Sequence, residues 1–401
     1  MTSHVDVAIV GAGAAGIAAG QAVRAAGVSY VVLEASGRIG GRALTDYSLD
    51  YPADLGCTWL HSADENILAD GPEALYGKNQ RVDERLYLEH AGHWASAEEQ
   101  AEADAYVDAM EDKIAAAGNA GEDTPVAALL EDSPYKPLFE WWCGAYTGVP
   151  TDEIGALDWA RYRETHQNWT VRGGMGTMIA GRAEGLAVRR ETPVLTIDHR
   201  PANGVRLTTP AGVLTASAVI ITTSTTALSR IVFLPSLPDA KEAALERLPL
   251  GLANKAIFRF DALDPEWGHA WSERISAGFG RFGAPIAELY IEASVMRALE
   301  PAKEPDILAF AADRLADMFG NGIKARIKGA RASTWGTTPW IWGAYSAMTP
   351  GGGDPRAALA EPIDGRLFFA GEATHSHFFS AAHGAWESGQ RAAAEALRAL
   401  T

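Results

Sequence analysis

Six residues near the amino end carry the most specific chemistry in the chain: Gly11-Ala12-Gly13-Ala14-Ala15-Gly16. In this G-x-G-x-x-G spacing Gly11 permits a tight turn and Gly13 lets a diphosphate approach the backbone. Gly16 lets a helix pack closely on a strand. The helix that follows, with Ala15 just ahead of it, offers unpaired N–H groups and a partial positive charge to phosphates. Glu34 ends the next apolar run, where its carboxylate can accept both ribose hydroxyls and disfavours a 2′-phosphate. After Glu34 and Ala35 come Ser36-Gly37-Arg38-Ile39-Gly40-Gly41-Arg42. Arg38 and Arg42 supply bidentate donors, and the glycines supply a backbone that can lie against a diphosphate. A dinucleotide cofactor is the expectation.

The elements around these residues fit that use. Val5–Val10 and Val28–Leu33 read as strands buried on both faces, and Ile17–Ala26 reads as a helix closed by Gly27. Glu98–Ala117 and Pro137–Ala145 read as helices. From Val188 the pattern turns to strands: Val194–Ile197, Val205–Leu207 and Val213–Thr215 form a meander with Pro/Gly turns, followed by a buried strand at Ala218–Thr222. Asn254–Phe260 and Ile286–Ile291 are further strands, and Ala302–Phe319 is a helix. Arg366–Ala370 is a strand running into Gly371, and Ala382–Leu400 is a closing helix. Nucleotide-binding signals at both ends and in the middle imply an α/β chain with a discontinuous Rossmann-type domain (1–60, 186–240 and 355–401). An α+β substrate domain (61–185 and 241–354) is then inserted.

Composition sets the outer limits. The 401 residues carry 34 Lys plus Arg against 51 Asp plus Glu, a formal charge of −17, which argues against polyanion or anionic-membrane partners. The 17 uncharged residues between Asp6 and Arg24 are broken by glycines and lack a basic leader, so no membrane segment is expected. Two cysteines, Cys57 and Cys143, do not make a disulfide framework, and a cytoplasmic location is expected. No metal-ligand spacing stands out, and the sequence sets no oligomeric state.

The string from Glu34 to Arg42 resembles the E-x-x-x-R-x-G-G-R of glutathione-reductase-type FAD proteins, and more widely the flavin-containing amine oxidases of the monoamine/polyamine oxidase superfamily. Asp54-Leu55-Gly56-Cys57-Thr58-Trp59-Leu60-His61 is similar to that family's segment beside the flavin ring. Gly173-Gly174-Met175-Gly176, Asn254-Lys255, the Trp335…Gly343-Ala344-Tyr345 spacing and the closing stretch Arg366–Ala373 with His383-Gly384-Ala385 also resemble it. The resemblance runs from residue 7 to about 395.

It implies noncovalent FAD, because Ala344 stands where monoamine oxidases carry the flavin-bonding cysteine. Leu55, Gly56, Cys57 and Thr58 would pass the flavin, and the Val194 backbone would meet the adenine. Gly371 and Glu372 would meet the ribityl and diphosphate, and the helix starting at Ala381-Ala382 would face the flavin's pyrimidine edge. Lys255 would hold a water against flavin N5. Tyr345 would be one wall of an aromatic cage, with Trp59 and His61 on the substrate side. Ala381 replaces the usual second cage tyrosine, leaving Phe378, Phe379 or Trp386 to supply that wall.

The implied reaction takes hydride from the α-carbon of a small cationic amine, polyamine-type favoured, to flavin N5. Imine hydrolysis follows, and dioxygen is reduced to hydrogen peroxide. Asp64, Glu65 and Glu292 are candidate attractors of the ammonium. Two alternatives remain open. One is an L-amino-acid oxidase or other FAD oxidoreductase, which would need an arginine clamp from Arg161, Arg163 or Arg281. The other is a flavin-binding scaffold with little turnover.

Overall fold

The computed structural model describes residues 3–78, 84–264, 267–299 and 303–401. Its first unit is strand Ser3–Val10, helix Ala14–Ala25 and strand Tyr30–Leu33. Val7 and Ile9 face one way and Ala8 and Val10 the other, and all four are buried. That two-sided burial is what a continuous apolar run requires of a parallel strand. The helix stops where Gly27 turns left-handed, φ +74°.

Five parallel strands follow in the order Val188–Arg189, Tyr30–Leu33, Ser3–Val10, Gly212–Ile221 and Leu367–Phe369. The strand Val205–Thr209 pairs antiparallel with Gly212–Ile221, and Thr196–Asp198 and Val232–Leu234 extend that edge. One face is covered by helices Ala14–Ala25 and Ala382–Ala399 through Ala15, Ala19, Ala392 and Ala396. These helices touch closely because position 389 is glycine: a Cβ there would lie 2.1 Å from the Ala15 carbonyl oxygen.

A second sheet has the order Ile327–Ala332, Asn254–Phe260, Ile286–Ile291, Ile275–Phe279, His269–Trp271, Glu84–Leu88 and His93–Trp94. Ala256, Phe258, Leu289 and Ile291 bury one face against helix Glu304–Phe319 through Ile307, Ala311 and Leu315. Burying each of the Phe, Leu and Ile side chains contributes about 1.5–3 kcal/mol. Alternation then puts Lys255, Glu288 and Tyr290 on the opposite face. Helix Ala97–Asn119, opened by a Ser96–Glu99 capping box, and helix Lys136–Thr147 complete this half.

Several boundaries differ from the sequence reading. Val213–Thr215 and Ala218–Ile221 are one continuous strand, because the alternation carries through Ala216 without a turn. Val194 precedes its strand, which starts at Thr196. Ala302 lies outside the described residues. Helix Met175–Gly181 packs against Ile17 and Ala18, so this stretch is joined to the first helix rather than to the second sheet. The strands Glu84–Leu88, Ile275–Phe279 and Ile327–Ala332 had no strong apolar alternation, being rich in charged or small residues.

Candidate active site

A cavity of about 890 Å³ opens at the carboxyl ends of the parallel strands and continues to the polar face of the second sheet. Val10, Leu33, Thr222 and Gly371 mark the strand ends, the usual ligand position in an open α/β sheet. Gly11, Gly13, Ala15, Glu34, Ala35, Arg38, Gly41 and Arg42 line this half, and Val194 lies on the same wall. Gly37 and Gly16 lie outside the wall. Gly16 is a packing glycine, since a Cβ there would sit 1.9 Å from the Gly11 carbonyl oxygen.

The glycines test whether a dinucleotide fits. Gly13 has an ordinary negative φ of −80°, and an added Cβ would find nothing nearer than 3.9 Å. The protein itself therefore leaves this position open, as an approaching diphosphate requires. The Glu34 carboxylate is positioned by the backbone N–H of Ala12 at 2.8 Å and of Ser36 at 2.8 Å, and it remains on the cavity wall. These residues fit FAD.

Arg42 joins the two ends of the chain. Its guanidinium donates to the Glu372 carboxylate at 2.9 Å and to the Ala344 carbonyl at 2.5 Å. Glu372 also accepts from the Ser346 hydroxyl at 2.6 Å and the Ser380 N–H at 2.9 Å. Burial alone would raise its pKa, but Arg42, Arg356 and Ser346 outweigh that and hold it below 4.5. The carboxylate thus has protein donors on both oxygens, and Gly371 and Glu372 both line the cavity. Glu372 is the counter-charge of Arg42.

Leu55, Gly56, Cys57 and Thr58 line the middle of the cavity. Asp54 anchors their segment by accepting from Thr45 Oγ1 at 2.6 Å and from the Met175 and Gly176 N–H groups at 2.9 and 3.2 Å. This explains why the Asp54-Leu55-Gly56 and Gly-Gly-Met stretches occur together. Gly176 is required there, since its Cβ would fall 2.4 Å from the Thr45 nitrogen. Lys255 reaches over from the second sheet and donates to the carbonyls of Asp54 at 3.1 Å and Gly56 at 2.5 Å, and to Thr58 Oγ1. The Trp335 indole donates to the intervening Leu55 carbonyl at 3.0 Å. Cys57 is the cysteine on this wall, and burial pushes its thiol up to about 12, so it stays protonated.

On the substrate side, Tyr345 lines the cavity and its hydroxyl donates to the Ala145 carbonyl at 2.6 Å. Trp59 donates through its indole N–H to the Tyr290 hydroxyl at 2.8 Å. His61 Nδ1 pairs with Asn168 Oδ1 at 2.8 Å and lies 3.5 Å from Glu164. Ala381 and Ala382 are on the wall at the start of the 18-residue closing helix. Phe379 is also on the wall, with Tyr162 edge-on to it at 5.4 Å, whereas Phe378 and Trp386 are packed away from it.

The remaining wall is aromatic. Trp142 stacks on Tyr146 at 5.6 Å, Tyr146 meets Tyr162, and Trp271 closes against Trp142. These residues, with Tyr290, escaped the sequence reading; the W-W-x-x-x-Y of helix Lys136–Thr147 was the available signal, masked by twelve tryptophans in the chain. The proposed attractors are elsewhere. Asp64 accepts from Thr165, Glu65 pairs with Arg163 at 2.6 Å, and Glu292 caps the helix that begins at Ala293. Of the three arginines considered, Arg281 alone is on the wall, tied to Glu288 at 2.6 Å. Among the described residues no group of three or more His, Cys, Asp or Glu could hold a metal, and no helix is long and apolar enough to cross a membrane.

The fold and the glycine-lined cavity define a flavin-dependent oxidoreductase. The description of the flavin-containing amine oxidoreductase family matches residues 14–70 and 74–397, and the chain belongs to that family. It is an FAD-dependent amine oxidase. It is 29% identical to polyamine oxidase 4 of Oryza sativa subsp. japonica over 98% of this chain and 89% of that protein. It is 26% identical to lysine-specific histone demethylase 1B of Mus musculus, over 97% of this chain and 52% of that one. Its fold matches putrescine oxidase bound to putrescine (TM-score 0.83, 23% identity, 99% and 100% of the chains). Cyclohexylamine oxidase from Brevibacterium oxydans IH-35A matches equally (TM-score 0.83, 23% identity, 98% and 99%).

Proposed function

We propose that this enzyme oxidises a small polyamine-type amine, uses dioxygen as the electron acceptor and releases hydrogen peroxide. The observation that carries the reading is Lys255, the buried cation at the junction of the cofactor and substrate halves of one cavity. Similarity to polyamine oxidases over nearly the whole chain supports the substrate class. Bound FAD supplies the acceptor for hydride from the amine α-carbon. The protein's part is to orient the neutral amine between Tyr345 and the aromatic wall, and to exclude bulk water. Lys255 fixes the Asp54–Thr58 segment and acts as the positive group beside the reacting centre. No protein nucleophile is needed.

An amino-acid oxidase is disfavoured, because Arg161 and Arg163 are off the wall and Arg281 already has a carboxylate partner. A second substrate reading, an amine with one cation and an apolar body, is favoured by the aromatic wall. The two free cysteines support a reducing, cytoplasmic setting. The test is anaerobic mixing with a panel of polyamines and monoamines, followed by air. Bleaching of the flavin and stoichiometric peroxide support the reading. A flavin that stays yellow with every amine would leave a binding scaffold instead.

A further inference from the structure

Arg356 is 1% exposed, a charged side chain buried as deeply as Phe369 of the core, and it is not itself on the cavity wall. It stands in the first turn of helix Pro355–Ala360, which is fixed at both ends. Asp354 accepts from the Ala357 N–H at 3.0 Å, and the Lys241 ammonium donates to the Ala358, Leu359 and Glu361 carbonyls at 3.0, 2.8 and 2.7 Å. The Arg356 guanidinium grips Asp158 through Nε to Oδ1 at 3.0 Å and Nη2 to Oδ2 at 2.9 Å. Its Nη1 donates to Ser346 Oγ at 2.8 Å, and its Cζ lies over the Phe379 ring, 3.7 Å from the centre. A buried ion pair is seldom worth more than well-packed apolar side chains, so stability alone does not account for it.

All three partners are on the wall although Arg356 is not. Asp158 belongs to helix Ala156–Arg161, beside Trp159 and shortly before Tyr162, both of which line the cavity. Ser346 follows Tyr345, and its hydroxyl and N–H both donate to Glu372, at 2.6 and 3.2 Å. Phe379 meets the Tyr162 ring edge-on at 5.4 Å. The residue after it, Ser380, donates through its hydroxyl to the Ser346 carbonyl at 2.8 Å. Three segments distant in sequence, each carrying an aromatic ring of the wall, therefore meet at one guanidinium. A planar fork with five donors and a stacking face serves all three at once, which an ammonium does not.

We infer that Arg356 is a positioning residue for the aromatic wall. By fixing the spacing of Tyr345, Tyr162 and Phe379 it sets the enzyme's preference between broad and slender amine bodies. A flat, rigid ring gains its contacts only where the opposing rings keep their separation, because dispersion attraction is lost with small gaps. A flexible alkyl chain changes its torsions to follow a wall that has shifted. Loosening the guanidinium therefore costs the broad amine first. Arg356 acts through its partners and need not touch the substrate. The inference deepens the apolar-body reading of this same cavity and rests on it.

The experiment compares kcat/KM of the holoenzyme for benzylamine and for n-butylamine, a ring against a chain. Arg356→Lys keeps the charge but loses the fork and the stacking face. The benzylamine-to-butylamine ratio should then fall about ten-fold, mostly through the KM of benzylamine, the strength of one aromatic contact. Asp158→Asn, which keeps one acceptor for the guanidinium, should lower the ratio less. Flavin absorbance and melting temperature establish that each variant is folded and loaded. If Arg356→Lys does not fold, Asp158→Asn carries the test. Should neither amine be turned over, the dissociation constants of benzyl alcohol and n-butanol, read from the perturbed flavin absorbance, form the same ratio. A melting temperature that drops while the ratio stays put would make the pair structural only and overturn the inference, as would a ratio that rises. Two further outcomes separate it from the apolar-body reading. Wild type preferring n-butylamine, with the ratio falling further in Arg356→Lys, would sink that reading and keep the inference. Wild type preferring benzylamine, with an unchanged ratio in both variants, would do the reverse.

Discussion

Lys255 Nζ donates to the backbone carbonyl of Gly56 at 2.5 Å across 199 positions of sequence. With its contact to Asp54 and the Trp335 bond to Leu55, three successive carbonyls are held by a strand of the second sheet and the turn after its edge strand. All three ammonium hydrogens have acceptors, counting Thr58 Oγ1. Lys255 therefore has a tethering duty as well as a chemical one, and a water bridging to the flavin must take the place of one acceptor.

The first prediction separates these duties. Lys255→Met should leave buried carbonyls unsatisfied, costing about 1–3 kcal/mol each where water does not replace the donor. The melting temperature should fall. If the ammonium also assists the chemistry, stopped-flow mixing should show flavin reduction or reoxidation slowed by about a hundred-fold or more. Normal rates for both half-reactions in a destabilised variant would confine Lys255 to the tether.

A second prediction contrasts two glycines of one motif. Gly16→Ala puts a Cβ 1.9 Å from a backbone oxygen and should compromise folding itself. Gly13→Ala meets nothing closer than 3.9 Å and should yield folded protein that binds flavin weakly. Circular dichroism and titration with FAD distinguish the outcomes. Tight FAD binding by Gly13→Ala would remove the close-approach role from that position.

The cofactor half was legible because its chemistry is local. Gly11 to Arg42 holds the turn, the ribose acid and the arginines within one strand-helix-strand unit and the segment just after it, and the unit's buried runs are continuous. The substrate half was not, because its wall is assembled from distant segments. Trp142, Tyr162, Trp271 and Tyr290 come from separate elements, and aromatic residues in a sequence look alike whether they line a cavity or fill a core. The acids show the same limit. Nothing local distinguishes Glu288, which reaches the wall, from Glu292, which caps a helix four residues later.

Acid should act through Glu372. Its folded pKa is lowered below 4.5 by Arg42, Arg356 and Ser346 against the opposing effect of burial. A depressed carboxylate stabilises the fold above its unfolded pKa, and that stability drains away as pH falls through the folded value. Glu372→Gln should lower the melting temperature at pH 7, since removing one partner of a buried pair costs about 3–5 kcal/mol. Below pH 4.5 its melting curve should decline less steeply than wild type. Parallel decline of both proteins would assign the acid sensitivity to other carboxylates.

Near neutral pH the dependence should come from the substrate. Burial lowers His383 to about 3 and His269, which lines the cavity, to about 4, so these two imidazoles are neutral well before pH 6. Tyr345 is shifted upward from 10 by burial and by the neighbouring Tyr290 and Tyr162, so it stays protonated through pH 9. kcat/KM should rise between about pH 7 and 9 as the amine loses its proton, the form able to release hydride. Amines of lower pKa should move this limb to lower pH by the same amount in stopped-flow reduction. A limb that keeps its position across amines of different pKa would instead belong to a protein group, and His61, paired with Asn168 and close to Glu164, would be the first to replace.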